Sequence, residues 1–266
     1  MGRRGAAGAG WRRARREVIP ARKHRLFRWW FSRHARGRLR QCFSAVRAEG
    51  LDHLRAALAA GPVLIVSNHT SWWDPLVVLY LTEHTLRCDG HAMMDAGNLL
   101  RLPFFAMVGA FGVDLANPSD GAGAMRYAAR LLSAPGRMVW VFPQGRERPV
   151  TERPLGFRAG SAEVARVARC VTVPIGLRYE HRGAERPELL MSIGQALPWT
   201  KDVTAARAAH EAAVTARLDA LDAALREGGT EGFEVLEATG PGAAARWAER
   251  ALVAMTRPWA VKALRG

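Results

Sequence analysis

The stretch VLIVSNHTSWWDP, Val63 to Pro75, decides the fold. Its first five residues form a short apolar run rich in β-branched side chains, which reads as a strand covered on both faces. Asn68, His69, Thr70 and Ser71 break that run, and Asp74-Pro75 then opens a helix. Aspartate suits an N-cap, and proline suits the first helical position because its missing N–H has no partner there anyway. A buried strand leading through a tight loop into a helix is the building unit of an α/β sheet.

Working outward, the same alternation continues. Apolar runs predict strands at 91–94, 112–115, 138–142, 171–177 and 189–193, in addition to 63–67. Helical patterns fall between them at 75–83, 102–110, 121–134 and 160–168. These elements predict one α/β domain over 61–200, with a central, mostly parallel or mixed sheet flanked by helices. Pro174 inside the run VTVPIG marks an edge or a bulge, since proline cannot donate to a ladder. Upstream, residues 22–60 read as an amphipathic helical segment, and 1–21 as a basic disordered arm rich in Gly, Ala and Arg. Downstream, 201–266 reads as a helical extension, with one helix to about 227 and a last one near 242–264.

The chain has 266 residues and a formal charge of +15. Residues 1–40 hold 14 basic side chains against a single acidic one, Glu17, leaving 25 basic and 23 acidic groups for the other 226. The charge therefore belongs to an arm, and the body is nearly neutral, which excludes a uniformly basic nucleic-acid-coating protein. Within that arm, Leu26, Phe27, Trp30, Phe31 and His34 share one helical face, and Arg25, Arg28, Arg33, Arg36 and Arg40 occupy much of the rest. A basic helix with aromatics on its apolar side suits a membrane surface with anionic lipids. The other reading is that the aromatics pack on the domain and the arginines are simply displayed. No run reaches the ~18 apolar residues of a spanning helix, and no signal-peptide core follows the basic start. The expectation is peripheral or monotopic attachment on the cytoplasmic face, with no transmembrane helix. Cys42, Cys88 and Cys170 are scattered and lack disulfide or zinc spacing. No metal site is expected.

The loop NHTSWWDP brings chemistry as well as topology. His69 and Asp74 lie five residues apart in one strand-to-helix loop, close enough for a carboxylate to orient an imidazole. Such a pair can take a proton from a hydroxyl. A second stretch, FPQGRER (Phe142 to Arg148), leaves another predicted strand. Its Pro-x-Gly turn with Arg146 and Arg148 forms either a cradle for a phosphate or an oxyanion, or a surface loop with solvated arginines. GFRAG, Gly156 to Gly160, adds Arg158 ahead of a helix whose free N–H groups also suit an anion.

Taken in order, NHTSWWDP, GAFGVDLAN (Gly109 to Asn117), FPQG and VTVPIG resemble the blocks of the glycerolipid acyltransferase family, which includes 1-acylglycerol-3-phosphate acyltransferases. The resemblance covers about residues 40–200. It implies a lipid O-acyltransferase with His69 as general base and Asp74 as its orienting partner. It further implies a lysophospholipid acceptor, most simply 1-acylglycerol-3-phosphate, and a donor that is acyl-CoA or acyl-carrier protein. No cofactor, covalent acyl-enzyme or nucleic acid is implied. Gln144, Gly145, Arg146, Arg148 and Arg158 are the expected acceptor- or phosphate-binding residues. Two departures bear on the acceptor. The family's second block usually ends in an arginine where Leu115 stands here, and its third block is commonly F-P-E-G-T-R, whereas this chain carries Gln144 and Arg146-Glu147. A less charged acceptor, such as a glycolipid or aminolipid, fits those replacements as well. A non-catalytic membrane-binding homologue is disfavoured because both His69 and Asp74 are present.

Overall fold

The computed structural model describes residues 18–114 and 118–238. Residues 1–17 of the arm expected over 1–21, Leu115, and the helix expected near 242–264 lie outside the described residues; the arm's last residues are ordered, with Ile19 bridging Gly112 and Ala21 N donating to the Tyr127 hydroxyl. The strand quoted first, β2 (Val63–Ser67), is buried at all five positions. Val63 and Ile65 face Leu54 and Ala57 of the helix Leu51–Ala60 and Val77 of the helix Asp74–Tyr80. Leu64 turns the other way, onto Ala128 of Pro118–Leu131, Leu132 just after that helix, and Val164 of Gly160–Ala168. Val66 meets Val214 and Leu218 of the helix Val203–Arg226. Each such side chain contributes roughly 1.5–3 kcal/mol relative to exposure. Two-sided cover explains why the sequence shows an unbroken apolar run.

In chain order the helices are α1 (Arg25–Cys42), α2 (Leu51–Ala60), α3 (Asp74–Tyr80), α4 (Ala96–Arg101), α5 (Pro118–Leu131), α6 (Gly160–Ala168) and α7 (Val203–Arg226). The remaining strands are β1 (Ala45–Glu49), β3 (Asp89–Asp95), β4 (Ala110–Val113), β5 (Arg137–Val141), β6 (Val171–Glu180), β7 (Glu188–Ile193) and β8 (Glu234–Ala238). They form one mixed sheet in the order β4-β3-β5-β2-β6-β7-β1-β8. β4, β3, β5, β2 and β6 all run parallel. Their carboxyl ends therefore emerge on one edge, where open α/β sheets gather their functional loops.

Several expectations are corrected here. The region 22–60 is not continuously helical: α1 ends at Cys42, β1 enters the sheet, and α2 follows. The region after 201 is not purely helical either, because β8 pairs antiparallel with β1. AVRAE and EVLEA carry no strand periodicity of their own. They become strands because β7 and β8 flank β1, so long-range pairing overrides local preference. The helix expected over 102–110 is a 3-10 turn, Pro103–Val108, preceded by the unpredicted α4. Pro174 lies inside β6, in the middle of the sheet rather than at its edge. β7 pairs with β6 only from Ile175 onward, and upstream of Pro174 the ladder is replaced by a Thr172–Leu197 bridge. The missing N–H thus falls at a gap between the two.

α1 divides the aromatic set that the sequence groups together. Phe27 and Phe31 turn inward, with Phe31 5.3 Å from Phe104, while Ala35 and Leu39 are fully buried. Leu26, Trp29 and Trp30 stay exposed at 74%, 60% and 55%. Near its far end, Arg36 and Arg40 pair with the buried Glu237 of β8, which also accepts from the Tyr80 hydroxyl at 3.2 Å. No helix among the described residues is long and apolar enough to cross a membrane.

Candidate active site

The loop after β2 is fixed at its root by two buried polar residues. The Ser67 hydroxyl accepts from the Trp140 indole at 2.8 Å. The Asn68 amide donates to Leu177 O at 2.9 Å and accepts from Leu177 N at 2.8 Å, fastening the loop to β6. These contacts give Ser67 a structural task.

Asp74 is completely buried and does not cap α3. The N-cap is Trp73, and the Asp74 carboxylate turns back onto the loop that precedes it. Its Oδ2 accepts from His69 Nδ1 at 2.6 Å, Thr70 N at 3.0 Å and Ser71 N at 3.2 Å. Its Oδ1 accepts from the Tyr179 hydroxyl at 2.5 Å. Four donors converge on one buried carboxylate, so both of its oxygens act as acceptors. An ionised carboxylate only accepts, so His69 Nδ1 carries the proton and Nε2 bears the lone pair. The expected cap is thereby corrected: the carboxylate is fully engaged in shaping the loop and fixing the histidine tautomer.

His69 stacks on Phe142, with ring centroids 4.5 Å apart. Its Nε2 lies 4.0 Å from the exposed Glu147 carboxylate. The loop after β5 is tied to the loop after β2 in two places. Gln144 Oε1 accepts from His69 N at 2.6 Å, and Arg148 N donates to His69 O at 2.9 Å. Gln144 is buried, so its side-chain oxygen serves an internal tie. Gly145 has φ +70°, and a Cβ there would come within 3.2 Å of the Arg158 guanidinium. Arg148 is mostly buried, bonded to Leu155 O at 3.3 Å and Glu152 at 3.0 Å, and its Nε has no partner among the described residues. Gly156, at φ +69°, leaves room for the Arg148 guanidinium 3.1 Å from where a Cβ would lie. From behind, Glu211 of α7 accepts from Gly156 N at 2.8 Å and Phe157 N at 3.1 Å. The two glycines therefore serve side-chain passage as well as backbone turning.

A cavity of about 490 Å³ opens beside this constellation. His69, Gly145, Arg146 and Glu147 line it together with Trp72. Because Trp72, Arg146 and Glu147 are exposed, they mark its open end. The walls beyond are apolar, among them Val78, Leu79, Met93, Phe105, Val108 and Ala110. His91 lies on the inner wall. Burial first, and the Lys23 ammonium second, push its pKa down to about 4, so this imidazole is neutral at neutral pH. Of the residues expected from the sequence, His69, Gly145 and Arg146 meet at the cavity. Asp74, Gln144, Arg148 and Arg158 stand behind them. Tyr179, Phe142 and Glu147 were not expected. The strand-end position of Tyr179 was the available signal, but which strand ends meet depends on sheet order.

Among known proteins, the family model described as Acyltransferase matches residues 45–178. A curated relative, the 1-acyl-sn-glycerol-3-phosphate acyltransferase of Streptococcus pneumoniae (strain ATCC BAA-255 / R6), is 27% identical over 116 residues, 42% of this chain. The match spans only 40% of that relative's length. A solved structure, the 1-acyl-sn-glycerophosphate (LPA) acyltransferase of Thermotoga maritima, shares the fold with a TM-score of 0.54 and 16% identity. That likeness covers 74% of this chain and 80% of that one. With half of its length inside the family model, and the histidine–aspartate loop at the mouth of an apolar cavity, the chain belongs to the acyltransferase family.

Proposed function

We propose that this chain transfers a fatty acyl group from an acyl thioester to the hydroxyl of a lysophospholipid, most simply 1-acylglycerol-3-phosphate, with His69 as general base. The observation that carries this reading is the single arrangement at His69. Asp74 holds the proton on Nδ1, and Nε2 is left bare beside an apolar cavity. The acceptor hydroxyl gives its proton to Nε2 as its oxygen attacks the thioester carbonyl carbon. The tetrahedral adduct then collapses, the C–S bond breaks, and the departing thiolate takes the proton back from the imidazolium. An ester and a free thiol result. The apolar walls suit the acyl chain, while Arg146 at the opening supplies positive charge for an anionic headgroup. The donor is acyl-CoA or acyl-carrier protein.

Competition among acceptors tests the substrate class. Purified protein with either donor should acylate lysophosphatidate in preference to hydroxylated glycolipids and aminolipids. Acylation of a neutral acceptor with lysophosphatidate ignored would sink the phosphate reading and favour the replacement of the family's charged residues by Leu115 and Gln144.

Attachment to a bilayer is part of the same proposal, since both substrates are amphiphiles. Leu26, Trp29 and Trp30 stand exposed on a helix that also carries Arg25 and Arg33. Exchange of both tryptophans for serine should weaken binding to phosphatidylglycerol vesicles by roughly tenfold or more, given the apolar area each ring buries. Wild-type binding should fall with salt, and duplex DNA should not compete. Undiminished vesicle binding by the double variant would move the docking surface elsewhere.

A further inference from the structure

β6 extends beyond its partner β2: Ser67, the last residue of β2, pairs with Ile175, and β6 continues to Glu180. That overshoot carries Tyr179 over the loop that holds the dyad. Asn68 clamps the loop to Leu177 through two hydrogen bonds, so the phenol and the Asp74 carboxylate keep a fixed separation. Among the described residues three donors crowd Asp74 Oδ2, whereas Oδ1 accepts from Tyr179, and the carboxylate itself is completely buried. Tyr179 lies one position beyond the family-matched segment, 45–178.

We propose that Tyr179 is a positioning residue of the His69–Asp74 pair, its hydroxyl locking the Asp74 rotamer and drawing off part of the carboxylate's charge. Burial, and then the neighbouring Asp74 charge, hold the phenol well above its ordinary pKa, so it acts as a donor throughout the working range. The inference rests on His69 being the base. With part of its charge spent on Tyr179, Asp74 pulls less strongly on the proton it holds at His69 Nδ1. Asp95 of β3 and Arg101 of α4 line the same cavity, and further charged groups near His69 come from the loop after β5. Glu147 lies 4.0 Å from Nε2, Arg146 lines the same cavity, and Arg148 is bonded through its backbone. None of them touches Asp74 Oδ1, and all are retained in a variant that removes only the Tyr179 hydroxyl.

The test compares Tyr179→Phe and His69→Ala in steady-state kinetics from pH 5 to pH 9. Tyr179→Phe should lower kcat by roughly 10- to 100-fold, the worth of one hydrogen bond to a charged group, with KM for both substrates nearly unchanged. The acidic limb of its rate profile should move to higher pH, because the Asp74 carboxylate faces the imidazole with its charge undivided once the phenol is gone. Site-specific 3-fluorotyrosine at 179, a stronger donor in the same shape, should move that limb to lower pH, and it keeps the test alive if the phenylalanine variant misfolds. A wild-type kcat and limb in Tyr179→Phe, or a change confined to KM, overturns the positioning role. If His69→Ala retains activity, the base assignment itself fails, a separate outcome from any result at 179.

Discussion

His69→Ala is expected to lower acyl transfer by roughly 10²–10⁴-fold, the range that positioned proton transfer supplies. The fold should survive. The His69 side chain contributes one hydrogen bond and a ring stack at the edge of a cavity, and Thr70 N and Ser71 N remain on Asp74 Oδ2. Far-ultraviolet circular dichroism and the melting temperature should therefore stay close to wild type while initial rates collapse. The loss should persist at high pH, since among the described residues no other group at the cavity mouth has a lone pair held in place by a buried carboxylate. More than a tenth of wild-type activity at any pH would remove His69 from the role of base.

Asp74→Asn should do comparable damage to activity, and it should destabilise the protein as well. The substitution preserves shape, which is why it isolates charge. Every partner of Asp74 is a donor: an imidazole N–H, two backbone N–H groups and a phenol. An amide can accept on its oxygen only, and its NH₂ would point at donors from a completely buried position. A buried unsatisfied donor costs about 1–3 kcal/mol, which should appear as a lowered melting temperature. His69 would be free to place its proton on Nε2, where it cannot serve as a base, and loss of the tautomer should lower kcat by roughly 10³–10⁴-fold, as in other histidine–aspartate pairs. Stability should fall more for Asp74→Asn than for His69→Ala. The reverse order would mean that the carboxylate is not the organiser of this loop.

Legibility in the sequence followed locality. The loop NHTSWWDP contains both members of the pair, and its strand and helix are adjacent, so β2 and the dyad were readable from 13 consecutive residues. α6 and β2 were likewise readable because each displays its whole apolar pattern within itself. The contributions that went unread come from elsewhere in the chain. Tyr179 reaches Asp74 across 105 positions, and Glu211 supports the Gly156 turn across 55. β1 and β8 acquire their conformation by pairing with each other across the length of the domain. Gln144 shows a subtler limit. Its residue type suggested a polar contact, and the contact exists, but with the His69 backbone inside the protein. Residue chemistry announces that a partner is needed; only the packing says which one.

The pairing of β1 also sets an order of events during synthesis. Ala45 pairs with Glu188 on one side and Ala238 on the other. A ribosome adding ~5–20 residues per second makes β7 roughly 7–30 s after β1, and β8 several seconds later still. Throughout that interval Val46 and Ala48, fully buried in the finished protein, have no sheet to join. The nascent chain thus carries an unfinished edge until nearly its last described strand emerges. A polypeptide ending before residue 234 would carry that edge permanently, with one side of β1 open to another chain.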